Sequence, residues 1–140
     1  MQFGLWIMAL WLTSNGPGAY LTCTAMLSDP TTACTTQVVG FIPVTVNLCH
    51  TLCHLLTGIV GLAAILRRSW AIVYTIFCGV FYIVWGLLGA FGGEHIRHHL
   101  GVDMFGTWVH VVEGSILLAI CLGDWLTSRP GDRAAATSTN

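Results

Sequence analysis

Charged residues divide the chain into long apolar stretches, with none in residues 1–28, 30–66, 69–93 or 114–123. A helix needs about 20 predominantly apolar residues to cross a bilayer. Two stretches predict crossings by length alone: residues 40–66, whose strongly polar members are Asn47, His50 and His54, and residues 69–91, which stop at Gly92-Gly93-Glu94. Residues 104–126 predict a third crossing despite Glu113. Upstream, residues 31–37 predict a polar loop. Residues 3–13 are too short to span and are interrupted by Ser14-Asn15-Gly16-Pro17-Gly18 before the apolar run resumes at 19–27. Read as one segment, 3–27 crosses as a broken or kinked helix, because internal Pro and Gly free backbone groups that neighbouring helices must satisfy. The alternative is a short interfacial helix followed by a loop. The pattern predicts an all-α polytopic membrane protein, a four-helix transmembrane bundle in one domain, 1–128.

Composition points the same way. Of 140 residues, 55% are hydrophobic and 8% charged, against roughly a quarter charged in soluble domains, and the mean hydropathy is +0.77. All five basic residues are arginine, and their placement orients the bundle, since short cytoplasmic loops keep the positive charge. Arg67 and Arg68 link the second and third crossings and Arg129 and Arg133 follow the last, while Arg97 falls on the other side. The chain is therefore expected in the plasma membrane with both termini cytoplasmic and the loop 92–103 extracytoplasmic. The N-terminus lacks the basic start and cleavage site of a secretory signal and is expected to be retained. Residues 129–140, with nothing to bury, predict a mobile cytoplasmic tail. A net charge of −1 excludes a nucleic-acid binder, which needs a cationic patch. The lipid bilayer and other membrane subunits are the expected partners.

Within the clear crossings, small and polar residues recur at helical spacing, as in a bundle whose interior differs from its lipid face. The stripes are Asn47, His50, His54, Gly58, Gly61; then Gly79, Tyr82, Gly86, Gly89, Gly93; then Asp103, Gly106, His110, Glu113 or Gly114, Leu117. The glycine stripe predicts a packing surface. A carboxylate among lipid tails costs about 2.5–3.5 kcal/mol on insertion scales, so Glu113 should face the interior with a partner. His110 precedes it by one turn, and His50 and His54 stand one turn apart. With His95, His98 and His99, all six histidines are predicted on the outer side. His50, His54, His110 and Glu113 are candidate ligands for a transition metal, or two imidazoles bracket a haem b. The competing readings are a hydrogen-bonded polar cluster of Asn47, His54, Tyr82, Asp103, His110 and Glu113, and a proton relay through the same groups.

Cys23 and Cys34 flank the Ser28-Asp29-Pro30 turn, and an oxidising outer compartment permits a disulfide between them; two unpaired thiols are the alternative. Cys49, Cys53, Cys78 and Cys121 are expected to pack as small apolar residues. The run from Cys49 to His54 has one residue too many for a Cys-x-x-Cys-His haem attachment motif and lies in an apolar segment.

The run from Asn47 to Ala64, Arg67 beyond it, Gly79-Val80-Phe81-Tyr82 with Gly86-Leu87-Leu88-Gly89, and Asp103 through Trp108-Val109-His110 to Gly114 carry a resemblance. Over about residues 40–122 the chain resembles a family of small four-helix membrane proteins of actinobacteria, of unknown function. The resemblance implies a shared Asn and His on one helix, a Tyr on the next and an Asp and His on the last, here Asn47, His54, Tyr82, Asp103 and His110. It implies no activity. The chain departs from the family pattern in its interrupted first segment, in Cys49, His50 and Cys53, and in its histidine-rich loop.

No motif in the sequence names a reaction, and a non-enzymatic role is expected. The leading reading is a structural or accessory subunit of a larger membrane complex. The alternatives are a metal- or haem-binding protein with a His/Glu site near the extracytoplasmic face, and a small transporter or proton pathway.

Overall fold

A computed structural model describes residues 1–38 and 40–128; the expected tail 129–140, with Arg129 and Arg133, lies outside the described residues. Helix α1 (Gln2–Thr22) leads through a 3-10 turn (Thr24–Leu27) into a hairpin of β1 (Cys34–Val38) and β2 (Ile42–Val46). Then come α2 (Leu48–Ala64), α3 (Arg68–Phe91), the short α4 (Gly93–Leu100) and α5 (Met104–Thr127). The fold is thus mostly helical, and the expectation of an all-α chain is corrected by the hairpin.

The strands begin inside the loop expected at 31–37 and end inside the crossing expected at 40–66. Residues 42–46, Ile-Pro-Val-Thr-Val, are β-branched apart from one proline, which suits a pleated edge better than a helix. They pair antiparallel with residues 34–38, Cys34 opposite Val46 and Val38 opposite Ile42. Gly40, at φ +80°, takes the left-handed conformation that turns the chain. Asn47 then caps α2, its side chain accepting from the His50 N–H at 2.9 Å. At 17 residues, α2 is about 26 Å long, somewhat shorter than the apolar thickness of a bilayer. Two helices, α3 and α5, are by themselves long and apolar enough to cross a membrane.

Helix α1 runs unbroken through the Gly-Pro-Gly segment, with Pro17 inside it, and stops at Thr22 rather than 27. Gly16 serves close packing rather than a break: a Cβ there would lie 2.8 Å from Leu55 Cβ on α2. Likewise a Cβ on Gly58 of α2 would run into Thr13 of α1. These approaches make α1 and α2 one tightly packed pair.

The second pair is α3 with α5, and its seam is the glycine stripe. A Cβ on Gly86 would sit 2.6 Å from the Thr107 carbonyl oxygen, one on Gly79 would sit 2.7 Å from Leu118 Cδ2, and one on Gly114 would collide with the Gly79 carbonyl. Gly93 does not belong to this stripe; it starts α4 at φ +80° with nothing near its missing side chain. Between the two pairs lies a core of Leu5, Ala9, Leu12, Tyr74, Cys78 and Leu117 with their neighbours. Of the four cysteines expected to pack, Cys78 is buried, Cys53 and Cys121 are half-buried, and Cys49 is exposed.

The bundle has chemically distinct ends. At one, Asp124 Oδ2 accepts from Arg68 at 2.6 Å and Asp124 Oδ1 lies 3.3 Å from the N-terminal amine. At the other sit the hairpin, α4 and all six histidines. There Cys23 and Cys34 lie side by side with Cα atoms 6.2 Å apart, within the range of a disulfide.

Replacing Gly114 by Val should cost about 1–3 kcal/mol by wedging α3 from α5. Replacing Gly123, which has open space beside it, should leave stability nearly unchanged. Thermal unfolding in one detergent compares the two.

Candidate functional site

The histidine end of the bundle is built by caps and turns. Asp103 starts α5, its Oδ1 accepting from the Gly106 N–H at 2.6 Å. Its second oxygen accepts from the Thr45 N–H at 2.8 Å, which pins β2 to α5. Helix α4 closes at Gly101, at φ +63°, where a Cβ would run into the Asn47 side chain. Glycine is thus required twice over, by conformation and by space. The Asn47 amide also donates to the His99 carbonyl at 3.2 Å, tying α2 to α4.

Inside this frame His50 and His54, one turn apart on α2, meet His110 of α5. The His50 and His54 rings stack with centroids 4.8 Å apart, and His110 lies 4.9 and 5.2 Å from them. All three are buried, and one ring nitrogen from each falls within 4.8 Å of the others.

Hydrogen-bond partners constrain which nitrogens carry protons. His50 Nδ1 lies 2.6 Å from the Gly101 carbonyl oxygen; a carbonyl only accepts, so Nδ1 bears the hydrogen. His110 Nδ1 lies 2.9 Å from Glu113 Oε2, and Trp11 Nε1 donates to Glu113 Oε1 at 2.6 Å. With Glu113 ionised, the group is acceptor-only and His110 Nδ1 bears a hydrogen. In that state both remaining Nε2 atoms present lone pairs, and they face each other at 3.2 Å. Two lone pairs at that distance repel unless a cation, a proton or a metal ion, lies between them. Tetrahedral zinc with Zn–N of about 2.0–2.1 Å holds two ligand nitrogens about 3.3 Å apart. The third histidine adds the strongest hint of a missing partner: His54 Nδ1 is buried with no hydrogen-bond partner among the described residues.

The site is walled by aromatic rings. Tyr82 lies 5.5 Å from His54 and 5.4 Å from His110, but its hydroxyl bonds Thr57 Oγ1 at 2.6 Å rather than the histidines. Trp85 stands 6.1 Å from His50 and 6.2 Å from His110. Between the imidazoles and the hairpin is a cavity of about 80 Å³, lined on its apolar side by Val44, Val46, Phe105 and Val109. Pockets for drug-sized ligands and cofactors run to about 300–1,000 Å³, so this space by itself suits an ion.

The candidate residues thus sort into different jobs. His50, His54 and His110 converge. Glu113, expected as a ligand, instead lies on the Nδ1 side of His110 and holds that ring's orientation. Asn47 and Asp103, expected in the polar cluster, are helix caps whose side chains are spent on backbone groups. His95, His98 and His99 lie exposed on α4, with His99 Nδ1 bonding the His95 carbonyl at 2.9 Å. The sequence reading missed Trp11, Gly101 and Thr57. The left-handed cap glycine after a short polar helix was the available signal for Gly101; nothing local marks Trp11, 102 positions from its partner.

A family model described as a domain of unknown function (DUF4383) matches residues 2–123. No curated protein and no solved structure matches the chain. The match bears out the resemblance to an uncharacterised family and extends it from 40–122 to the first helix, where Trp11 lies.

If Asn47 and Asp103 act as caps, N47A and D103A should each cost about 1 kcal/mol of stability by thermal unfolding.

Proposed function

The chain belongs to the DUF4383 family, and we propose that it is a multi-pass membrane protein that holds one transition-metal ion on His50, His54 and His110. The observation that carries this is the pair of facing Nε2 atoms, 3.2 Å apart, with the buried His54 Nδ1 nearby unpartnered among the described residues. Three neutral imidazoles suit zinc, copper, iron or nickel, and the 3.2 Å between the His50 and His110 Nε2 atoms matches the spacing of two ligands on four-coordinate zinc. Glu113 is the orienting carboxylate of a carboxylate–histidine–metal arrangement, and Trp11 fixes it in turn.

Four crossings by α1, α2, α3 and α5 fit this reading, with both termini in the cytoplasm. Supporting this orientation, the N-terminal amine and Arg68 gather on Asp124 at one end, and positive charge is kept inside. The metal site, α4 and the hairpin then face outward, where oxidation would join Cys23 to Cys34.

A role as a structural or accessory subunit of a larger membrane complex is the second reading. The observation favouring it is how little interior remains, a cavity of about 80 Å³ at the site, for transport or bulky-substrate chemistry. Copurification of the same larger partner in mild detergent supports it, and recovery as a lone monomer counts against it.

Elemental analysis of protein purified in detergent without chelator, then incubated with Zn²⁺ and desalted, tests the metal reading. One zinc per chain is expected in the wild type and in H95A, and loss to background in H50A and H110A. Wild-type protein that folds but retains no metal overturns the reading and leaves a proton between the imidazoles.

A further inference from the structure

Three histidine ligands leave one position of a four-coordinate metal open. Building on the metal reading above, we infer that this position takes a small exchangeable monoanion, hydroxide in water, housed in the cavity beneath the hairpin. A closed structural site would need a fourth protein ligand. Among the described residues, the remaining titratable group lining the cavity is Glu113, and both its oxygens are engaged by His110 and Trp11.

Charge decides the class of ligand. A divalent ion with three neutral imidazoles and the Glu113 carboxylate carries a net charge of about +1, and uncompensated charge is costly in so apolar a surrounding. A monoanion neutralises it; a dianion overshoots, and a neutral ligand leaves it. Size decides the rest. The cavity of about 80 Å³, where about 10–15 Å³ of such space admits one water, has room beside the ion for a ligand of two or three atoms. Val44, Val46, Phe105 and Val109 line its apolar side, with Thr36 and Thr51 also on the lining. Asn15, also on the lining, supplies a polar edge. Exchange is a simple substitution at the metal: the incoming anion donates its lone pair as hydroxide departs.

The test uses the full chain in detergent, loaded with Co²⁺ so that the metal's coordination is visible as absorption bands. Azide, a three-atom monoanion, should shift those bands saturably, while sulfate at matched ionic strength should not. Val109→Phe and the milder Val46→Leu both narrow the cavity; each should keep the cobalt bands but weaken azide binding by about tenfold or more. Cobalt bands that ignore azide in the wild type overturn the open position and leave the metal reading standing. An azide response unchanged in whichever narrowed variants retain the bands overturns the cavity as the anion's site. Absence of cobalt bands in folded wild-type protein overturns the metal reading itself, and this inference with it.

Discussion

Two imidazole nitrogens face each other at the histidine end of the bundle. His50 and His110 are 60 residues apart in sequence, yet their Nε2 atoms sit 3.2 Å from one another, each with its other nitrogen already bonded to an oxygen. Much of the surrounding structure serves to hold that opposition. The Gly101 carbonyl turns one ring and the Glu113 carboxylate turns the other; the absence of side chains at Gly79, Gly86 and Gly114 lets α5 lie close enough to α3 to bring His110 inward. With Glu113 ionised and no cation, the arrangement is repulsive. With one, it becomes the point at which four helices, α1 through Trp11, α2, α3 through Tyr82, and α5, share a single chemical interest.

The two ends of the bundle divide labour along the same axis. At one end an ion pair secures Arg68 to Asp124 and gathers the N-terminus. At the other, capping side chains replace ion pairs: Asn47 joins α2 to α4, and Asp103 joins α5 to β2. Asn47 Oδ1 and both Asp103 oxygens accept from backbone N–H groups that would otherwise be unsatisfied at a helix start or strand edge, while the Asn47 amide donates to the His99 carbonyl. The hairpin they secure roofs the cavity beside the histidines. Cap and site are therefore coupled, since moving β2 or α4 would move the cavity wall or the Gly101 carbonyl.

Much of the helical layout was legible in the sequence, because apolar length and charge-bounded segments are strong signals: α3 and α5 fall close to the expected 69–91 and 104–126. The stripes were legible too, with His50, His54, His110 and Glu113 all buried as their spacing implied. Apolar length, however, cannot distinguish a strand from the start of a membrane helix, so 42–46 was absorbed into a crossing although its β-branched residues favour a sheet. Gly16 and Pro17 looked like a break because local propensity says so; packing of α1 on α2 overrode it. Asn47 and Asp103 were placed in the polar cluster because they share its helix faces, but a polar residue at a helix's first position is claimed by the backbone before any ligand. Trp11 was illegible for a simpler reason, that its partner is distant in sequence.

The proposed metal ion between the imidazoles is most directly tested by X-ray absorption at the zinc edge of the zinc-loaded, washed full-length protein. A first shell dominated by imidazole nitrogen at about 2.0–2.1 Å, with the outer-shell pattern of three rings and one light-atom ligand, is the predicted result. A sulfur-dominated shell at about 2.3 Å, or zinc lost on washing from protein that remains folded, would contradict it.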